Sequence, residues 1–206
     1  NDPAAAAATL GNGKMLTSLG LALYGSPLKW IVMLAPLGMV FFLSARIHTL
    51  SVSAAQTMFW VFAGLMGLSM SSIFLVYTSA SIVQTFFITA ASFGALSLYG
   101  YTTKRDMTGW GSFLIMGVFG LIIAMVVNIF LASPALQFAI SVIGVLVFAG
   151  LTAYDTQKLK EEYIYALDGA DQATIGRSAI MGALTLYLDF INLFTMLLQL
   201  FGQKND

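Results

Sequence analysis

Six runs of apolar residues alternate with short polar links along the chain. A helix that spans a bilayer takes roughly 17–25 mainly apolar residues. The runs meet that length at about Leu28–Ala45, Ala54–Tyr77, Ile82–Tyr101, Gly111–Leu131, Leu136–Asp155 and Ala179–Phe201. Pro36 falls inside the first run, where its missing backbone donor predicts a kink. "TSAS" (78–81) and "ASPA" (132–135) read as tight turns, and the longest polar stretch, "DTQKLKEEYIYALDGADQATIGR" (155–177), reads as the one extended link. The opening "NDPAAAAATLGNGK" is too polar and turn-rich for a signal peptide and reads as a loop. The predicted organisation is therefore a loop over 1–27 outside the cytoplasm, a helical membrane bundle over 28–202 and a tail over 203–206.

Composition supports this reading. Of 206 residues 59% are hydrophobic and only 9% are charged, whereas soluble domains carry about a quarter charged residues. The fold class expected is an all-α polytopic membrane protein. A net charge of zero gives no reason to expect nucleic acid as a partner. With no cysteine, disulfides, thiol nucleophiles and thiolate metal sites are excluded, and the single histidine, His48, cannot form a histidine zinc site by itself.

Lysine and arginine give the orientation. Arg46, Lys104, Arg105, Lys158, Lys160 and Arg177 fall on alternate links that lie on one side, while only Lys14, Lys29 and Lys204 fall on the other. The first side is assigned to the cytoplasm, with cytoplasmic links after Arg46, Lys104 and Asp155 and an extracytoplasmic C-terminus. A visible start outside the membrane, without a signal sequence, implies an earlier helix running outward. That makes seven helices, the first absent here. Small residues in "ASFGALSLYG" (91–100) and "MGVFG" (116–120) suit close helix packing. The 11 methionines are scattered and read as core filler. Trp30, Trp60 and Trp110 lie near helix ends, as an interfacial belt requires.

Three charged residues within or at the edge of the spans on the cytoplasmic side need an explanation: Arg46, Asp155 and Asp189. A carboxylate in hydrocarbon costs a few kcal/mol or more, so an intramembrane acid marks an ion or proton site by default. Asp189 is the deepest. Asn192, three residues on, shares its helix face as a supporting polar group. Asp155 ends the fifth run and Arg46 the first, positions that a headgroup-level anchor also explains. Two carboxylates brought together in a low-dielectric site share a proton, which makes a pH sensor. Deprotonated, they offer hard oxygen ligands suited to Ca²⁺, and a nearby arginine can take the cation's place. Spacing alone does not say whether they meet, and the depths disagree: Asp155 sits at a boundary and Asp189 nearer mid-membrane.

"LYLDFINLF" (186–194), "AYDTQKLK" (153–160), "SLYGYTTKRD" (97–106) and "SARIH" (44–48), in this order, resemble the bacterial branch of the Bax inhibitor family, also called the transmembrane Bax inhibitor motif family. The resemblance runs from about Gly25 to Gly202. It implies a bundle of seven transmembrane helices with the last helix central, which explains the depth of Asp189. It implies a pH-sensitive calcium leak channel of the bacterial inner membrane, gated by the aspartate pair Asp155 and Asp189 and latched by Arg46. Calcium is then the transported ion, bound in passage by the two aspartates, and no resident cofactor is expected. Beyond the lipid bilayer, the partners implied are Ca²⁺ and H⁺. Two other functions are open. One is an interaction protein that modulates a membrane-bound protease or stress response, through the 156–177 loop and the termini. The other is an H⁺-coupled cation exchanger, although no inverted repeat is visible. A membrane enzyme is not expected: the aspartates stand in "AYDT" and "YLDF" rather than a "GxGD"-like setting, and there is no "HExxH".

Overall fold

The computed structural model describes residues 6–9, 15–166 and 168–205. Two short antiparallel strands, β1 (Ala6–Thr9) and β2 (Met15–Thr17), precede a short helix α1 (Ser18–Tyr24). The helices that follow are α2 (Leu28–Arg46), α3 (Val52–Met70), the single turn α4 (Ile73–Val76), α5 (Ser79–Thr102), α6 (Thr108–Leu131), α7 (Pro134–Glu161) and α8 (Gln172–Phe201). Among the described residues six helical segments are long and apolar enough to cross a membrane. They coincide with the six apolar runs, so this is an all-α polytopic membrane protein.

The segment ends follow local chemistry. Ser51 caps α3, accepting from the Ala54 N–H at 3.2 Å, and Ser133 caps α7, accepting from the Leu136 N–H at 3.3 Å, with Pro134 just inside the helix. Ala132, at φ 48°, turns the chain left-handed to end α6. Pro36 is accommodated inside one continuous α2.

Two segments differ from the sequence reading. The 1–27 segment, expected as a loop, carries the hairpin and α1; residues 1–5 and 10–14 of it lie outside the described residues. The expected long loop after Asp155 is mostly helix. α7 runs on to Glu161, a π-helical turn covers Glu162–Ala166, and α8 starts at Gln172. Hydropathy ends where polar residues begin, but Gln, Lys, Leu and Glu are good helix formers and continue the helix past the apolar run. The C-terminal tail, beyond the end of α8, is tied down by backbone contacts. Lys204 pairs antiparallel with Tyr77, the Thr78 N–H donates to the Gln203 carbonyl at 2.9 Å, and Asn205 Nδ2 donates to the Tyr77 carbonyl at 2.8 Å.

The chain divides into two compact units. One extends to Thr78 and includes the residues from Gln203 on; the other is Ser79–Gly202. In the first, α2 packs on α3. In the second, α7 packs on α5, α6 and α8, and α8 packs on α5 as well as α7. α7 and α8 are the most enclosed spans, each with 39% of its apolar window buried against at most 22% for the rest. The apolar core of this unit gathers Leu114 and Leu121 from α6, Val147, Phe148 and Leu151 from α7, and Leu193, Met196 and Leu197 from α8. Lipid is as apolar as these side chains, so the packing rests on close fit rather than on exclusion from water. Two helical glycines supply that fit between α7 and α8. A Cβ on Gly144 would stand 2.8 Å from Met196, and one on Gly182 would stand 2.8 Å from Leu159. Gly100 does the same on α5, where a side chain would collide with the Ala153 carbonyl of α7.

Candidate functional site

The register of α7 against α8 brings Asp155 and Asp189 together. The two helices run antiparallel, and their contacts are in step. Glu162 meets Ser178, Leu159 meets Gly182, Gly144 meets Met196 and Ser141 meets Gln199. Each advance along α7 is matched by an equal retreat along α8. That register places Asp155 level with Thr185, one turn from Asp189. Side chains on a helix lean toward its N-terminus. On antiparallel helices the two aspartates therefore lean toward one another, and their carboxyl groups are neighbours close enough for the charge of one to act on the other. The depth discrepancy disappears with the helix extension, since Asp155 is not at a helix end but about two turns before the end of α7.

The pair is enclosed unequally. Asp189 is 5% exposed, and its Oδ2 is buried with no hydrogen-bond donor. Asp155 is half-buried. Thr152 and Thr156 flank it, but their hydroxyls donate to the carbonyls of Phe148 and Thr152, each at 2.7 Å, and do not serve the carboxyls. Also on α8, Phe190 and Phe194 stack edge-on against Phe86 of α5 at 5.7 and 6.3 Å, which fixes the rotation of the helix that carries Asp189.

A small cavity of about 100 Å³ adjoins the pair, lined among others by Asp155, Lys158, Glu162, Ser178 and Thr185. Lys158 lies close enough to attract the Asp155 carboxylate electrostatically. Ser178 Oγ donates to Glu162 Oε1 at 2.6 Å. The sequence reading missed this cluster. Its signal was present, because Asp155, Lys158 and Glu162 are three and four residues apart and share a helix face, but only if the helix continues past Asp155.

Asn192 lies on α8, three residues past Asp189. Asn192 is directed to its own helix, its Nδ2 donating to the Leu188 carbonyl at 2.9 Å; an amide with a carbonyl four residues back is satisfied locally, so its nitrogen does not support the pair. Arg46 is the exposed last residue of α2, in the first unit. As a metal site the pair is sparse. Among the described residues no group of three or more acidic, histidine or cysteine side chains could hold an ion, whereas Ca²⁺ takes six to eight oxygens in a resident site.

The family described as "Inhibitor of apoptosis-promoting Bax1" matches residues 4–206. The chain belongs to the Bax inhibitor family. Among its Bax inhibitor relatives it is 52% identical to the inner membrane protein YbhL of Escherichia coli K12 over 173 residues, 84% of this chain and 74% of that protein. It is 50% identical to a protein of Caulobacter vibrioides over 181 residues, 88% and 72% of the two chains. A membrane protein of Streptococcus pyogenes is 41% identical over 157 residues, 74% of this chain and 65% of its own. The aspartate pair thus sits in a Bax inhibitor family membrane protein, on the two helices that its second unit encloses most.

Proposed function

We propose that this chain is a pH-sensitive calcium leak channel of the bacterial inner membrane, in which Asp155 and Asp189 form the ion-pathway and proton-responsive pair. The observation that carries the reading is the direct apposition of two carboxyl groups between α7 and α8, one of them nearly sealed from solvent and with an oxygen that has no donor. Such a group is retained in a membrane protein where it meets a proton or a cation. Two apposed carboxyls share a proton, so their charge changes with pH. Ionised, the pair attracts the guanidinium of Arg46, which serves as the latch of the closed state. Partial protonation weakens the attraction and favours opening. A pair with so few oxygens around it suits an ion in passage rather than a stored one. In this reading the chain is a conductor, not an enzyme, and has no resident cofactor.

The test is Ca²⁺ flux into vesicles carrying the purified protein, measured across pH. Flux should rise as pH falls into the range where the pair takes up its proton, and Asp155→Asn and Asp189→Asn should each abolish that response. Unchanged flux and pH response in both variants would overturn the reading. A proton counterflow in fixed ratio to Ca²⁺ would replace the leak by an H⁺-coupled exchanger.

A further inference from the structure

Between α5, α6 and α7 lies a second cavity, of about 320 Å³, which the aspartate pair does not use. Its lining changes character from the helix interiors to the 103–107 link. Leu96 of α5 with Ala149 and Ala153 of α7 form an apolar floor, Tyr99 and Trp110 stand beside it, and Arg105 lies at the rim. The rim is held in place. Gln157 of α7 donates to the Arg105 carbonyl at 2.8 Å and accepts from the Met107 N–H at 3.0 Å, which pins the link across the mouth. Asp106, the one acid at the rim, accepts from the Thr108 N–H at 2.8 Å, and its hydrogen bonds with Thr108 hold its carboxyl below the usual carboxylate range. The Arg105 guanidinium, in contrast, is exposed and makes no hydrogen bond or ion pair among the described residues. Lys104 adds a second exposed cation beside it.

We propose that this cavity is a binding site for an anionic phospholipid, with the headgroup phosphate on Arg105 and a segment of one acyl chain over Leu96, Ala149 and Ala153. A planar guanidinium matches a phosphate in a two-point contact. Basic pockets between transmembrane helices at the membrane surface take acidic headgroups, and Trp and Tyr settle at the headgroup level. Two cations against one acid leave the rim positive, which selects an anionic lipid over a zwitterionic one. The volume is at the low end of the range for small-molecule sites, about 300–1,000 Å³, so it admits part of one chain and not a whole lipid. The site does not depend on the channel reading.

The test uses the full chain with Trp30→Phe and Trp60→Phe, leaving Trp110 as the only tryptophan, in nanodiscs that contain phosphatidylglycerol or phosphatidylcholine with brominated chains. Trp110 quenching should show phosphatidylglycerol preferred by about fivefold, the weight of one basic side chain at a charged membrane surface. Arg105→Ala should bring the preference to near one. Ala149→Phe, which fills the floor, should do the same with helix content unchanged by circular dichroism; if that variant does not fold, Arg105→Ala decides alone. Equal quenching by both lipids in the parent, or a preference that survives Arg105→Ala, overturns the proposal. So does loss of the preference on adding soluble glycerol phosphate, which would assign the rim to a free phosphate ester.

Discussion

At one end of the α7–α8 pair, Asn128, Gln137, Ser141 and Gln199 form a chain of neutral hydrogen bonds. Asn128 Nδ2 donates to Gln137 Oε1 at 3.1 Å, Gln137 Nε2 donates to Gln199 Oε1 at 2.7 Å, and Ser141 Oγ donates to the same Gln199 oxygen at 3.0 Å. About four turns along α7, Asp155 and Asp189 meet with a buried oxygen that has no donor. Both are polar clusters on α7 and α8, the first reaching Asn128 of α6 as well. The amides carry donors and acceptors together and satisfy one another without a proton or an ion. The carboxyls carry acceptors only when ionised, so they need something from outside the pair. The first cluster holds helices together, and in the proposed reading the second serves a mobile charge.

That difference can be broken from either side. The largest stability change is expected at the amide end. Gln137→Leu removes the link between Asn128 and Gln199 and should cost about 1 kcal/mol, in the range of interhelical hydrogen bonds in membranes. The readout is thermal unfolding in detergent, with the pH response of Ca²⁺ flux retained. Asp189→Asn should do the reverse, removing the pH response while leaving the unfolding midpoint unchanged or raised, because it relieves a buried charge. A Gln137→Leu variant that loses its pH response, or an Asp189→Asn variant that is much less stable, would erase the distinction.

A smaller effect is expected at Lys158, whose positive charge favours the ionised pair. Lys158→Met should let the pair keep its proton to higher pH, so the flux–pH curve moves upward by roughly half a pH unit, the size of a partly exposed charge interaction. An unchanged curve would mean that Lys158 does not act on the pair.

The smallest is at Asp171, which caps α8 by accepting from the Thr174 N–H at 2.7 Å. Hydrogen bonds with Thr174 hold its carboxyl below the ordinary carboxylate value. Because the folded value is the lower one, the cap contributes fully above the ordinary value and is lost as pH falls through the depressed one. Asp171→Ala should speed hydrogen exchange at Thr174 near neutral pH and remove its acid dependence, with Asp171→Asn retaining much of the protection. Exchange unaffected by Asp171→Ala would show that the cap does not hold the first turn of α8.

Much of this is legible in the sequence. The six spans, the cost of Asp189 and the residue types of the pair follow from hydropathy and from the price of a charge in hydrocarbon. Lys158, Glu162 and Ser178 were not legible, because the helix was ended where the apolar run stops, which cut Asp155 from the face it shares with its neighbours. Asn192 shares a face with Asp189, and its Nδ2 donates to the Leu188 carbonyl of its own helix. A shared helix face says which way a side chain points but not that its own backbone will take the hydrogen bond first.

The sequence by itself determined the solvent in which this protein lives, the number of apolar spans in this chain and the family to which it belongs, because hydropathy and motifs are properties of contiguous residues. Only the tertiary structure decided that Asp155 meets Asp189. Their encounter depends on the antiparallel register of α7 and α8, set by close contacts at Gly144 and Gly182 and by hydrogen bonds at both ends. It depends also on the lean of each side chain toward its own helix N-terminus. A register is a relation between two segments, and neither segment states it alone.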